Sequence, residues 1–368
     1  MKSTYYLIGT PWDGKPVSGR APVVTPFDPT VNETGAEDNL FDLNGRRRVL
    51  RISELLSCNN DQQVERLIYS VADCQAVYVA LDWRPRTSNP TIASFFQLRV
   101  KQVLYVINDN LPCTSVQLME VDETIWRLPT RRLTLPWLID IATSFESYVN
   151  SRHVKFDRNG FPLIPASAYA TSIPSDMLPY GRRNSRLCKD SRTTVICFFT
   201  DDRHIYPRFE HLLEEIDLYR RYAAVAVPDL TVTKDMDEPW QAFTMLLNQL
   251  FGAVLAVNGI KIIANTRCGS PQSQRYLQAI PKRVACASGS LGCAPINSPE
   301  DYSFTAKILA MQPKVLLIYG KRDRVAEDQL ATLGLNVRRY SDAHTRSSRL
   351  SREARQESRS LPHQSSQN

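Results

Sequence analysis

Between Thr194 and Tyr340 the chain alternates short runs, most of them nearly continuous in apolar residues, with stretches of helical periodicity, and few folds satisfy that pattern. The runs are TVICFF (194–199), AAVAV (223–227), KIIA (261–264), RVACA (283–287), KVLLIY (314–319) and NVRRY (336–340). A strand with one wet face alternates apolar and polar residues, whereas a run that is apolar at nearly every position is buried on both faces. Helical patterns separate most of the runs. Phe209, Leu212, Leu213, Ile216 and Tyr219 form one stripe at helical spacing. Pro239 to Asn258 reads as a long helix closed by Gly259, a residue suited to a left-handed C′ position. Ser298-Pro299-Glu300-Asp301 has the cap, proline and acids of a helix start. Asp323 to Leu333 is the last helix, ended by Gly334. Strand, helix and strand at roughly 20–40 residues per unit require crossover connections and a parallel sheet. The expected fold is therefore α/β: a parallel (β/α) repeat domain over 194–340, barrel-like or a partial barrel, with an open, doubly wound sheet as the alternative. Strands missing from six are expected from the N-terminal half, for example QAVYVAL (75–81) or VLYVI (103–107).

The remainder divides by texture. Residues 1–150 form a mixed α+β region. TYYLIG reads as a strand, Pro11 to Asp38 as a long loop and Asp61 to Ala72 as a capped helix. QAVYVAL reads as a buried strand, Phe95 to Ile107 as one bent strand with Ser115 to Leu128 as its partner, and Leu135 to Val149 as a helix. Residues 151–193 are a Pro/Gly-containing linker whose end is basic. Residues 341–368, rich in Ser, Arg and Gln, lack the apolar residues to bury a core and are expected to be disordered.

The net charge of +7 and the pI near 9.0 favour anionic partners. Eight cysteines include no C-x-x-C pair, which argues against a zinc knuckle or ribbon, and Cys197 and Cys286 sit inside apolar runs as small buried hydrophobes. The opening residues carry no long apolar stretch, and the apolar run from Leu246 to Val257 is interrupted by Asn248 and Gly252. A cytoplasmic protein with free thiols and no membrane contact is expected.

In parallel α/β domains the loops after the strands converge, and the following helices direct partial positive charge toward them. The residues after the strands here are polar and mixed. Asp201 and Asp202 follow the first, Asp229 the second, Asn265 and Arg267 the third, Ser288 and Ser290 the fourth and Lys321 the fifth. The three carboxylates are candidate catalytic groups, able to hold Mg²⁺ or to divide into an acid and a base. Asn265, Arg267, Ser288, Ser290 and Lys321 are candidate ligand-binding groups for an anion such as a phosphate. Each also has a plain structural role open to it: Asp202 as a helix cap, Asp229 in an Asx-turn, Arg267 paired with Asp229, Ser288-Gly289-Ser290 as a tight turn.

At these same residues the chain resembles an uncharacterised family, domain of unknown function 4417. The resemblance is carried by Phe199-Thr200-Asp201-Asp202, Pro228-Asp229-Leu230-Thr231 with Asp235-Met236, Asn258 to Ile263, Asn265-Thr266-Arg267, Ile280-Pro281-Lys282, Ser288 to Cys293 and Tyr319-Gly320-Lys321, in that order. Two positions depart from it, with Leu230 and Cys268 where the family tends to have aromatics. The resemblance implies a setting in bacteriophages, plasmids and other bacterial mobile elements. It implies no reaction.

Three function classes follow. The first is an enzyme or nucleotide-binding protein using the strand-end residues. The second is a nucleic-acid-binding accessory protein contacting phosphates through Arg182, Arg183, Arg186 and Arg192 and through the tail residues Arg349 and Arg352. The third is a protein-interaction module.

Overall fold

The computed structural model describes residues 47–58, 63, 66–67, 76–81, 83–110, 116–120, 134–234, 236–289, 303–321, 323–348 and 351–352. The expected strand TYYLIG, the loop Pro11 to Asp38, most of the helix 61–72 and the helix start at Ser298 lie outside them. The chain divides into two compact units, one comprising residues 1–151, 156–161 and 232–250, the other 152–155, 162–231 and 251–368.

The second unit holds a parallel sheet of seven strands: β4 (Asp176–Pro179), β5 (Thr194–Cys197), β6 (Ala224–Ala226), β7 (Ile262–Asn265), β8 (Ala285–Gly289), β9 (Val315–Tyr319) and β10 (Val337–Tyr340). Their spatial order is their sequence order, each strand pairing in parallel with the next. All six expected strands are present. The seventh strand comes from DMLP, inside the stretch read as linker, and not from QAVYVAL or VLYVI. Four residues that end in Pro179 and closely follow Pro174 give no periodic signal. Their pairing with β5 makes them a strand.

The sheet curls into a nearly closed barrel. Met177, Val195, Cys197, Ala224, Ala226, Ile263, Ala285, Ala287, Val315, Leu317, Tyr319 and Tyr340 form one buried cluster. These are alternate residues drawn from all seven strands, so one face of the whole sheet packs on itself, as only a curled sheet permits. The cluster mixes small residues on β6 and β8 with the larger Met177, Tyr319 and Tyr340. At the carboxyl end, Phe199 stacks on Tyr319 with ring centroids 5.8 Å apart. Gly289 leaves space for that stack, since a Cβ there would stand 2.6 Å from the Phe199 ring. Gly289→Ala is expected to destabilise the protein by about 1–3 kcal/mol through overpacking. Thermal unfolding checks this, and an unchanged melting temperature would show that the ring can move aside.

The seam between β10 and β4 is closed by side chains. Tyr340 donates its hydroxyl to the Pro174 carbonyl at 2.6 Å. A helical segment, 343–348, follows β10, so ordered structure runs past the expected boundary at 340. Arg346 in that segment holds the Asp176 carboxylate with two hydrogen bonds of 2.6 and 2.7 Å.

Around the barrel lie α4 (Asp202–Glu210), α5 (Ile216–Tyr219), the end of α6 (Glu238–Val257), α7 (Ser303–Met311) and α8 (Arg324–Thr332). Gly259 and Gly334 have φ of 78° and 64°, the left-handed closures expected of them. The single expected stripe from Phe209 to Tyr219 is two helices, α4 and α5, joined by a turn. Among the described residues one helix, α6, is long and apolar enough to cross a membrane, and 89% of its most apolar window is buried inside the protein. That burial is the signature of a core helix.

The first unit has a three-stranded parallel sheet, β1 (Arg47–Arg51), β2 (Ala76–Leu81) and β3 (Val116–Glu120), with β2 central. Its helices are α1 (Ile52–Leu56), α2 (Pro90–Asn110) and α3 (Leu135–Asn150). The stretch read as a bent strand, 95–107, is part of α2. Its β-branched and aromatic residues misled, but the start signal is present. Asn89 caps the helix by accepting from the backbone N–H of Thr91 at 3.1 Å, and Pro90 takes the first helical position. Ile92, Phe95, Phe96, Val100 and Leu104 are buried at helical spacing. Residues 116–120 accordingly pair with β2. Arg99, 2% exposed, binds both oxygens of Asp237 and lies over the rings of Phe95 and Trp240.

Candidate functional site

The carboxyl ends of β5, β6 and β7 bring four of the eight expected side chains together, Asp202, Asp229, Asn265 and Arg267. Asp229 follows β6 and is 6% exposed. Its Oδ1 accepts from Arg267 Nε at 2.9 Å and from Asn265 Nδ2 at 3.0 Å, and its Oδ2 accepts from an Arg267 terminal nitrogen at 2.8 Å. Asn265, the last residue of β7, also donates to the carbonyls of Pro228 (2.9 Å) and Val227 (3.3 Å), and its Oδ1 accepts from the Arg267 backbone N–H at 2.7 Å. One asparagine thus ties two strand ends together and fixes the arginine that neutralises the aspartate. The pairing of Arg267 with Asp229 is the structural role open to both in the sequence.

Asp202 is the first residue of α4 and is 7% exposed. Its two carboxylate oxygens accept from the Thr231 backbone N–H at 3.2 and 3.1 Å. Burial is the main influence on this carboxyl, pushing its pKa up to about 6. The Thr231 hydrogen bonds and the Arg267 charge pull the other way, and the Asp229 charge adds to the rise. A carboxyl with such a pKa exchanges protons near neutrality, as a general acid or base must.

The other expected residues are placed differently. Asp201 caps α4, accepting from the Arg203 backbone N–H at 3.0 Å, and its side chain is exposed. The cap role left open to Asp202 therefore belongs to its neighbour, and the buried carboxylate is Asp202. Ser288 is buried at the end of β8, and Lys321, after β9, is exposed. Ser290 lies outside the described residues. Thr231, which holds Asp202 through both its main chain and its side chain, was named only as part of the Pro228-Asp229-Leu230-Thr231 motif and not as a site residue. The two departures from the family pattern, Leu230 and Cys268, are buried and half-buried.

As a metal site the donor set is poor. Every carboxylate oxygen of Asp202 and Asp229 already accepts from N–H groups, the pattern of an ion-pair network and not of a hard-cation cage. Among the described residues no group of three or more His, Cys, Asp or Glu stands close enough to hold a metal ion. The buried thiols are poor nucleophiles, with Cys286 pushed up to about 12 by burial.

Beyond the strand ends, Tyr180, directly after β4, donates to Glu215 at 2.5 Å. Arg208 binds that same carboxylate, and Tyr219 donates to its second oxygen at 2.9 Å. This network joins the start of the basic segment to α4 and α5. Arg183 lies over the Tyr180 ring and donates to the Tyr180 carbonyl, whereas Arg182, Arg186 and Arg192 are exposed. Arg352 is exposed, and Arg349 lies outside the described residues.

No curated protein and no solved structure matches the chain. A family model does, over residues 156–340, a span that begins upstream of the resemblance read from the sequence and takes in β4. That span is half of the chain, which therefore belongs to the family described as Domain of unknown function (DUF4417).

Proposed function

We propose that the carboxyl ends of β5 to β8 bind a small anionic molecule of the nucleotide or sugar-phosphate class, with Asp202 as the group that trades a proton with it. The observation that carries this reading is the burial of Asp202, Asp229, Asn265 and Ser288 at one end of a parallel barrel, all under a tenth exposed. Burying polar groups costs stability unless each is satisfied. Here the satisfied network fixes Arg267 beside a protonatable acid at the edge where such folds hold ligands. Arg267 supplies the positive charge, and Lys321 and Ser288 stand at the neighbouring strand ends. Asp201, as an exposed cap, has a smaller part. In keeping with the family resemblance, we take the protein to serve a phage- or plasmid-type mobile element in the cytoplasm.

A thermal-shift screen against inorganic phosphate, nucleotides and sugar phosphates, with and without Mg²⁺, tests the reading. A ligand at one hundred times its Kd stabilises the native state by about 2.7 kcal/mol. The parent is expected to show such a shift with one class of phosphorylated compound. The Asp229→Asn/Arg267→Gln double variant, which keeps hydrogen-bonding groups in the pair, is expected to lose it. A shift of equal size in both proteins would remove the ligand from this site.

A further inference from the structure

Two basic segments that are far apart in sequence meet on the barrel surface. The first runs from Arg182 to Arg192, after β4. The second begins with the helical segment 343–348, after β10. Ala343 packs against Leu178 and Leu187, with Cys188 beside them. Arg346 binds Asp176 through both terminal nitrogens and donates to the Leu187 carbonyl at 3.3 Å. The Arg-rich tail is thus launched from the same seam that carries the first segment.

The acids around this seam are already engaged. Asp176 is held by Arg346. Glu215 is held by Arg208, Tyr180 and Tyr219. Asp190 accepts from the Arg192 backbone N–H at 2.9 Å as the cap of a short turn. Arg182, Arg186, Lys189 and Arg192 are exposed. Arg183 and Arg346 are committed to internal contacts and act as braces.

We propose that this seam is a binding surface for the phosphate backbone of a nucleic-acid duplex. Three features select that partner. The exposed residues of the segment are Arg182, Asn184, Arg186, Lys189, Asp190 and Arg192, chiefly donors to phosphate oxygens. Its apolar residues, Leu187 and Cys188, point into the packing with Ala343, so nothing is left to enter a lipid interface. Of the aromatic rings adjoining the segment, Tyr180 is 8% exposed and covered by Arg183 and Arg208, and Tyr222 is half-buried with its hydroxyl on the Arg183 carbonyl, so little ring surface is offered to unstacked bases. A surface of spaced cations with little exposed ring reads shape and charge, which a duplex presents whatever its sequence.

The test is fluorescence anisotropy of the full-length protein with a short mixed-sequence DNA duplex, the matching RNA duplex, either single strand, and vesicles of an anionic phospholipid, over about 50–200 mM salt. The parent is expected to bind a duplex more tightly than the single strands or the vesicles. Its log K should fall linearly with log salt, by about 0.9 for each phosphate contact on DNA. The Arg186→Gln/Lys189→Gln/Arg192→Gln variant is expected to lose about 2.7 from that slope and more than about tenfold in affinity at the lowest salt. A variant with the same loss of charge elsewhere, Lys282→Gln/Lys314→Gln/Arg324→Gln, all at exposed positions, should bind as the parent does. Melting temperatures confirm that both variants fold. Absence of duplex binding, equal losses in the two variants, or preference for single strands or vesicles would each overturn the proposal.

Discussion

Asp229→Ala should destabilise the protein by about 3–5 kcal/mol, the cost of stranding a buried guanidinium. The Arg267 and Asp229 side chains are 9% and 6% exposed, and the pair is joined through two nitrogens of the arginine. Screening by water, which reduces exposed pairs to less than about 1 kcal/mol, does not reach them. Removing Asp229 leaves the arginine charge uncompensated and takes an acceptor from Asn265 Nδ2. Removing Arg267 leaves the converse. The two single losses are therefore expected to exceed together the loss in the Asp229→Ala/Arg267→Ala double variant, with a coupling energy of about 1–3 kcal/mol. Urea denaturation of the four proteins of the cycle measures this. A loss below about 1 kcal/mol for Asp229→Ala would mean that the pair is hydrated in solution, and the case for a pre-organised site would fall with it.

How much of this was legible in the sequence depended on which force fixed each part. The five strands from TVICFF to KVLLIY announced themselves because burial on both faces demands apolar residues at nearly every position, and a run of identical demands is a readable pattern; NVRRY, with Arg338 and Arg339 exposed, is a less regular run. β4 was not legible, because Asp176–Pro179 carries two buried residues and owes its existence to the neighbour it pairs with. The helix α2 was misread for a related reason. Ile92, Phe95, Phe96 and Val100 satisfy a helical spacing, but their β-branched and aromatic character outweighed it until the Asn89-Pro90 start was given its due. That Asp202, Asp229, Asn265 and Arg267 would meet was legible, since the geometry of parallel sheets dictates where loops converge. The division of labour at the strand ends was not legible. Adjacent Asp201 and Asp202 are chemically identical, and only the turn into α4 decides that one caps the helix in solvent while the other is buried against Thr231. Arg346 was likewise counted with the tail, since nothing local distinguishes an arginine that finds Asp176 from one that does not.

That turn has a measurable consequence, because the Asp202 carboxyl is expected to make the fold less stable as pH rises. Its pKa is about 6 in the folded protein against an ordinary 3.8, mainly through burial. A raised carboxyl pKa means that the folded state keeps a proton the unfolded state has lost. Stability is then highest below about pH 4, declines through the window from about 4 to 6, and is level above it. At 1.36 kcal/mol per pKa unit the decline is on the order of 2–3 kcal/mol. Asp202→Asn is uncharged at every pH and retains a carbonyl acceptor for the Thr231 N–H. The variant is expected to lose this part of the pH dependence and to be more stable than the parent at pH 7, by about 1–3 kcal/mol. Asp140 is also raised by burial, so the quantity to follow is the difference between parent and variant, in which that contribution cancels. A difference that stays flat from pH 4 to 7 would show that Asp202 titrates like a solvated acid. A difference that grows through the window would show that the fold sustains a destabilising acid at its strand ends. Natural sequences keep such a residue where function requires it, and the same variant should then bind its ligand without the proton exchange that Asp202 provides.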